Sequence, residues 1–261
     1  MRIVTLLTDF GLEDGYVAAM KGVIAGIAPE ARLVDITHLV PPQDLAFARF
    51  RLLTVAPFFP AGTVHLAVVD PGVGTARRAV AIRSRSGSCF VGPDNGILLG
   101  ALGADPPVAA VELSEPRYWR TPSPSATFHG RDVFSPVAAH LARGAVLESL
   151  GSTVALDELV ALDLPQWQSI PGGAEGTVQA VDRFGNVVSN VPGALVSQRS
   201  GWTATIAGHI VRGQRTYVDS GPDQAIALVG SHGFVEIAVP GGDARRLFDV
   251  RVGDRVQVRW L

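Results

Sequence analysis

Two residues, Asp70 and Arg77, carry the most legible chemistry in the chain. They frame Pro71, Gly72 and Gly74 within Val-His-Leu-Ala-Val-Val-Asp-Pro-Gly-Val-Gly-Thr-Ala-Arg-Arg, residues 64–78. The apolar run Leu66 to Val69 suits a strand buried on both faces. Pro71 has no N–H to give a sheet ladder, so the strand ends there. Asp70 then stands at the carboxyl end of a core strand, where open α/β sheets bind ligands. Gly72 and Gly74 free the backbone for a tight turn or a close approach, and Arg77 lies far enough along to fold back toward Asp70. A carboxylate beside a permanently charged guanidinium can orient or activate a small polar molecule. The competing reading is a surface turn with an ordinary ion pair, and the segment alone does not decide between them.

Other polar residues fall at similar places. Asp9, in Thr8-Asp9-Phe10-Gly11, and Asp94, in Gly92-Pro93-Asp94-Asn95-Gly96, also end apolar runs. In a parallel sheet the strand C-termini share one edge, so Asp9, Asp70 and Asp94 are expected to converge. A ribose diol suits such a carboxylate, which accepts from both hydroxyls; for Asp9 the alternative is a helix N-cap. His129, between Phe128 and Gly130 and followed by Arg131 and Asp132, lies just ahead of a predicted helix in a polar setting. In Asp182-Arg-Phe-Gly-Asn186, Phe184 is an aromatic platform beside an amide able to read a purine edge. That stretch alone fits an Asx-type hairpin turn better.

Several tempting patterns fail. Asp9-Phe10-Gly11 spells the kinase metal-binding tripeptide, with no Gly-rich or catalytic loop before it. No G-x-G-x-x-G opens a helix and no P-loop is present, which argues against nicotinamide and P-loop chemistry. The six histidines show no zinc-type spacing, and the single cysteine, Cys89, permits no intrachain disulfide and no Cys-based metal cluster. No metal site is expected. A net charge of −2 gives no field to recruit nucleic acid or an anionic membrane. No apolar stretch approaches membrane-spanning length, and the N-terminus enters a strand without a signal-peptide pattern. The expectation is a soluble, cytoplasmic protein.

The elements that must position these residues follow from the pattern. Ile3 to Leu7 is a first strand. A helix follows from about Tyr16 to Ile27, with Asp14 as its expected cap and Pro29 as its stop. Arg32 to Ile36 is a second strand, Asp44 opens a helix through Val55, and the central strand comes next. This alternation predicts a mostly parallel sheet. Ala79 to Arg83 and Ser88 to Val91 are strands around a turn, Leu98 to Leu102 is helical, Val108 to Leu113 is a strand, and Val133 to Arg143 is a helix. The composition changes near 163–173, with two prolines and a Gly pair. Beyond it lie short strands separated by turns, with little helix except Pro192 to Val196, as in a small β-barrel. The expected organisation is an α/β catalytic domain over 1–163, a linker over 164–174 and a smaller all-β barrel domain over 175–261.

Four stretches taken together (Thr8-Asp-Phe-Gly11, Asp70-Pro-Gly-Val-Gly-Thr-Ala-Arg77, Gly92-Pro-Asp-Asn-Gly96 and Thr127-Phe-His-Gly-Arg-Asp132), with Phe184-Gly185-Asn186, resemble the S-adenosyl-L-methionine hydroxide adenosyltransferases, relatives of fluorinating and chlorinating enzymes. The motifs come in the right order across nearly the whole chain. The resemblance implies an α/β domain followed by a β-barrel, a homotrimer with sites between subunits, and hydrolysis of S-adenosyl-L-methionine to adenosine and methionine without a cofactor. It places Asp70, Arg77 and His129 in the catalytic set and Asp9 on the ribose. Phe128, Asp182, Phe184, Asn186 and Ser231 complete the substrate-binding set. Two departures touch the adenine contacts: Gly230-Ser231-His232-Gly233, where the family usually has Asn-Ser before its glycine, and the proline in Val239-Pro240-Gly241-Gly242.

From below, the sulfonium is a good leaving group that needs no acid, and the difficulty is the nucleophile. Arg77 beside a water favours hydroxide, with Asp70 and His129 orienting or deprotonating it. A halide-using relative is one alternative, disfavoured by this polar set and by Gly130, where fluorinating relatives carry a serine. A non-catalytic adenosine or S-adenosylmethionine sensor is another, disfavoured by retention of all three polar residues.

Overall fold

The computed structural model describes residues 2–219, 221 and 224–261. The chain divides into two compact units, Met1–Leu162 and Asp163–Leu261.

In the first unit, strand β1 (Ile3–Thr8) leads to helix α1 (Tyr16–Ile27), β2 (Arg32–Thr37), α2 (Leu45–Val55) and β3 (Val64–Val68). The hairpin β4 (Ala79–Ser84) and β5 (Cys89–Pro93) follows, then α3 (Ile97–Ala101), β6 (Pro107–Glu112) and α4 (Ser135–Ala142). The sheet order is β2-β1-β3-β5-β4-β6. Side chains alternate across it. Leu6, Leu66 and Val68 pack with Met20 and Ile24 of α1 and Val137 and Leu141 of α4. Leu7, Ala67 and Val69 pack on the other face with Ala48 and Leu52 of α2 and Leu98 of α3. Both faces of the central strands are therefore dry, which is why they read as largely apolar runs, with the buried Thr5 and His65 paired to each other at 2.9 Å. Each such buried Leu, Ile or Val contributes about 1.5–3 kcal/mol.

The sheet is mixed rather than mostly parallel. β2, β1, β3 and β5 pair in parallel, but β4 is antiparallel to both β5 and β6. Residues 85–88 are far too few for the crossover that a parallel pair needs, so the hairpin must reverse the chain. Asp14 does not cap α1: Gly15 holds the N-cap position with no side-chain hydrogen bond. Asp44 does cap α2, accepting from Phe47 N at 2.9 Å. The helix expected from Val133 starts earlier, as one π-helical turn over Gly130–Phe134 that runs into α4.

The second unit is an antiparallel sheet curled into a nearly closed barrel. Its strands are β7 (Gln168–Ile170), β8 (Gly173–Val181), β9 (Val187–Pro192), β10 (Trp202–Ile206), β11 (His209–Arg212), β12 (Ile226–Val229), β13 (Phe234–Ala238) and β14 (Arg255–Trp260). The order is β11-β10-β14-β8-β9-β13-β12. A bridge between Gly213 and Ala227, with Gln214 N donating to Ala227 O at 2.7 Å, links the two ends. Strand β7 pairs with β8 inside the stretch read from composition as linker. A short helix α5 (Ala244–Phe248), capped by the Asp243 side chain, interrupts the all-β pattern, and Pro192 to Val196 reduces to a 3-10 turn over Gly193–Leu195. Among the described residues no helix is long and apolar enough to cross a membrane.

Candidate active site

The loop after β3 is built to return Arg77 to Asp70. Val73 N donates to Asp70 O at 3.3 Å, Thr75 N to Gly72 O at 3.1 Å, and the Thr75 hydroxyl to Gly72 O at 2.7 Å. Gly74 has φ +80°, and a Cβ there would lie 2.7 Å from the carbonyl oxygen of Ala126. Only glycine allows that backbone and that approach at once, and the approach brings the segment preceding His129 against the loop. Arg77 meets the Asp70 carboxylate side-on, with Nε 2.9 and 3.1 Å from the two oxygens and Nη2 2.5 Å from Oδ2. The same Nη2 donates to His129 Nδ1 at 2.8 Å. Side-chain exposures of 12% for Arg77 and 6% for Asp70 make this a shielded pair, unlike the solvated ion pair of the competing reading.

His129 ends a segment fastened by Asp132. That carboxylate is fully buried and accepts from Arg120 Nε at 2.5 Å, Arg131 Nε at 2.7 Å and Ser125 N at 2.9 Å. The Arg131 and Arg120 contacts hold the Asp132 carboxyl far below the usual carboxylate range. A π-helical turn directly after His129 is a geometry often found at functional sites. Burial, together with the positive Arg77, holds the His129 imidazole below its ordinary pKa, against the opposing pull of Asp70 and Asp132. Arginine only donates, so His129 Nδ1 accepts, and the proton of the neutral ring sits on Nε2.

Asp9, Asp70, Phe128 and His129 line one cleft of about 300 Å³. Val68 and Val73 give it apolar walls. Asp9 is not a helix cap; its Oδ2 accepts from the backbone N–H of Gln43 at 2.9 Å. Asp94 does not join this cleft. Its carboxylate takes Arg78 Nε at 3.0 Å and Val160 N at 3.0 Å, and loop 158–160 walls it off. Phe10, Tyr16, Gln43 and Thr127 also line the cleft and were missed in the sequence. Phe10 lies within the Asp9 motif and Tyr16 shortly after it, and both are aromatic, which was the available signal. Gln43 carried none.

The second unit holds the remaining candidates. Asp182 Oδ1 accepts from the N–H groups of Phe184 and Asn186, each at 2.9 Å, and Oδ2 from Asn186 Nδ2 at 2.9 Å. This is the Asx-type turn. It occupies the Asp182 carboxylate and leaves the Asn186 side-chain carbonyl and an exposed Phe184 ring. Ser231 is exposed in the β12–β13 turn. Beneath that turn His232 Nε2 lies 3.0 Å from Glu236 Oε2, and the Tyr217 hydroxyl donates to Glu236 Oε1 at 2.7 Å. Burial first, then Glu236, pushes the Tyr217 hydroxyl well above its ordinary pKa. Cys89 is a partly buried strand residue whose thiol burial pushes up, away from reactivity. Among the described residues no three His, Cys, Asp or Glu side chains are grouped to hold a metal ion.

The first unit, an α/β fold, carries a carboxylate–guanidinium–imidazole set beside a cleft, and the second is an antiparallel barrel. The chain belongs to the SAM hydroxide adenosyltransferase family: the profile of that family's N-terminal domain matches residues 4–151 and that of its C-terminal domain matches residues 176–257. An (R)-S-adenosyl-L-methionine hydrolase of Salinispora arenicola is 46% identical over 98% of this chain and 97% of its own length. A second, from Thermus thermophilus, is 43% identical over 99% of this chain and all of its own. The crystal structure of an uncharacterized conserved protein from Thermotoga maritima superposes with a TM-score of 0.92 at 34% identity, covering 98% of this chain and 99% of that one. Fluorinases are more distant, at 26% identity over 98% of this chain for that of Nocardia brasiliensis.

Proposed function

We propose that the protein hydrolyses S-adenosyl-L-methionine to adenosine and L-methionine, with water attacking the 5′ carbon. The observation that carries this reading is the Asp70–Arg77–His129 set, whose Asp70 and His129 line the cleft that also holds Asp9. The water oxygen forms a bond to C5′ as the C5′–S bond breaks, and the bonding pair returns to sulfur, leaving neutral methionine thioether. No cofactor enters, because the sulfonium departs unaided. His129 Nε2 carries a proton, so it donates to the water oxygen and cannot take the water's proton. Asp70 is then the acceptor, and Arg77 stabilises the negative charge that develops on oxygen. Asp9 accepts from the ribose hydroxyls. Phe128, Phe184, Asn186 and Ser231 complete the substrate contacts, with Asp182 holding the Asn186 amide.

Incubation with S-adenosylmethionine, with and without chloride or fluoride, followed by chromatography, tests the reading. Adenosine and methionine in equal amounts are expected under all three conditions. A 5′-halogenated adenosine would establish the halide-using alternative, and binding without turnover would establish a sensor.

We also propose a homotrimer whose sites are completed by a neighbour's barrel, in a cytoplasmic enzyme with a catalytic α/β domain. The resemblance supports this reading. Mixing inactive Arg77→Ala and inactive Asn186→Ala proteins under subunit exchange should restore part of the activity. No recovery despite proven exchange, or a monomer by light scattering, contradicts it.

A further inference from the structure

Gln43 is one of three non-glycine residues among those described with positive φ, at +65°. It is the third residue of a turn closed by Asp44 N donating to Pro41 O at 3.0 Å, with Pro42 second. That is the type II position, which glycine or asparagine normally takes. A glutamine there holds an unfavourable backbone, and such residues persist where the surroundings over-determine them.

The surroundings are specific. Gly11 N donates to His38 O at 2.8 Å, Val40 N to Thr8 O at 3.4 Å, and the Thr8 hydroxyl pairs with His38 Nδ1 at 2.8 Å. These bonds stitch the loop after β1 to the loop after β2. His38 is anchored in turn on Asp35, 3.0 Å away, and Asp35 on Lys21 at 2.6 Å. The last stitch is Gln43 N–H to Asp9 Oδ2, at the cleft wall. The left-handed turn directs that N–H at the carboxylate.

We infer that Gln43 is a positioning residue: its left-handed backbone fixes the Asp9 carboxylate so that its remaining lone pairs meet the 2′ and 3′ hydroxyls of the substrate ribose. The inference rests on the role proposed for Asp9. It assigns the work to the backbone N–H and not to the glutamine side chain.

The test compares S-adenosylmethionine with its 2′-deoxy analogue in three proteins. Gln43→Gly keeps the N–H and suits positive φ, so it should retain the wild-type ratio of the two KM values and melt no lower than wild type. Gln43→Val, whose branched side chain resists positive φ, should raise KM for the ribose substrate about tenfold, the value of a hydrogen bond to a charged group. It should raise KM for the 2′-deoxy analogue, which keeps the 3′ hydroxyl, by a smaller factor and leave kcat nearly unchanged. Replacing the Gln43 peptide N–H by an ester oxygen removes the donor without changing the side chain and should do the same, even if the valine protein does not fold. Loss of discrimination in Gln43→Gly, or unchanged discrimination in the ester protein, overturns the inference. Absence of hydrolysis in the wild type would instead overturn the proposed function.

Discussion

Arg77 and Arg78 are adjacent in the chain, and each pairs with an aspartate at the end of a core strand. The two pairs have different surroundings. Arg77 binds Asp70 and shares Nη2 with His129, and Asp70 and His129 both line the cleft. Arg78 binds Asp94 and reaches the Glu158 carbonyl, while Val160 N closes over the same carboxylate. One pair puts its carboxylate on the wall of an open cleft, and the other pins a loop. An Asp–Arg contact is therefore not a function in itself. The third partner and the open volume separate a site from a brace.

The sharpest way to break this comparison is to remove each arginine in turn. Arg77→Ala should lower kcat by about 10²–10³, the cost of losing a donor that stabilises developing charge, with substrate affinity much less affected. Arg78→Ala should keep kcat within about twofold and instead lose about 1–3 kcal/mol of stability, because Asp94 is left buried with fewer partners. A thermal melt reads this as a Tm lower by several degrees. Normal turnover in Arg77→Ala would reduce both pairs to braces.

Next in size is Asp9→Ala, which should raise KM for the ribose substrate about tenfold or more. With a 2′-deoxy substrate, which keeps only the 3′ hydroxyl, the further loss should be smaller. Full additivity of the two losses would mean that Asp9 and the ribose do not touch.

The smallest effect is on titration. His129 sits below the ordinary histidine value of 6.5, by burial first and by Arg77 second. Its neutral form therefore persists below pH 6.5, and kcat/KM should fall only on the acid side of that value, where a proton on Nδ1 opposes Arg77. The sign for stability is the same. Below pH 6.5 the unfolded chain binds the proton more readily than the folded one, so folding weakens with acid. By NMR, the His129 pKa should rise in Arg77→Ala and stay put in Arg78→Ala. An unchanged value in both would remove Arg77 from contact with the ring.

Much of this arrangement was legible in the sequence because it is local. The dry strand ending in Asp70-Pro71, the glycines that return Arg77 and the Asp44 cap each follow from one residue's backbone or hydrogen-bonding properties. Long-range features were not legible. Asp94 looks like Asp70 until the loop carrying Val160 closes on it. The antiparallel β4 was implicit in its short turn to β5, but the run of alternating strands and helices before it outweighed that signal. Within the π-helical turn after His129, Asp132 gathers Arg120 and Ser125 from a stretch without regular structure, together with Arg131 of the turn itself. Gln43 had no signal at all, since nothing about glutamine marks a left-handed turn. Helix α5 was hidden by its five-residue length, although Asp243 ahead of Arg246 is a cap pattern.

Hydrolysis in oxygen-18 water, with chloride present, measures the central claim most directly. If the Asp70–Arg77–His129 set delivers water to the 5′ carbon, mass spectrometry will find one oxygen-18 at the 5′ position of adenosine and none in methionine. Unlabelled adenosine, labelled methionine or a 5′-chlorinated nucleoside would contradict the account.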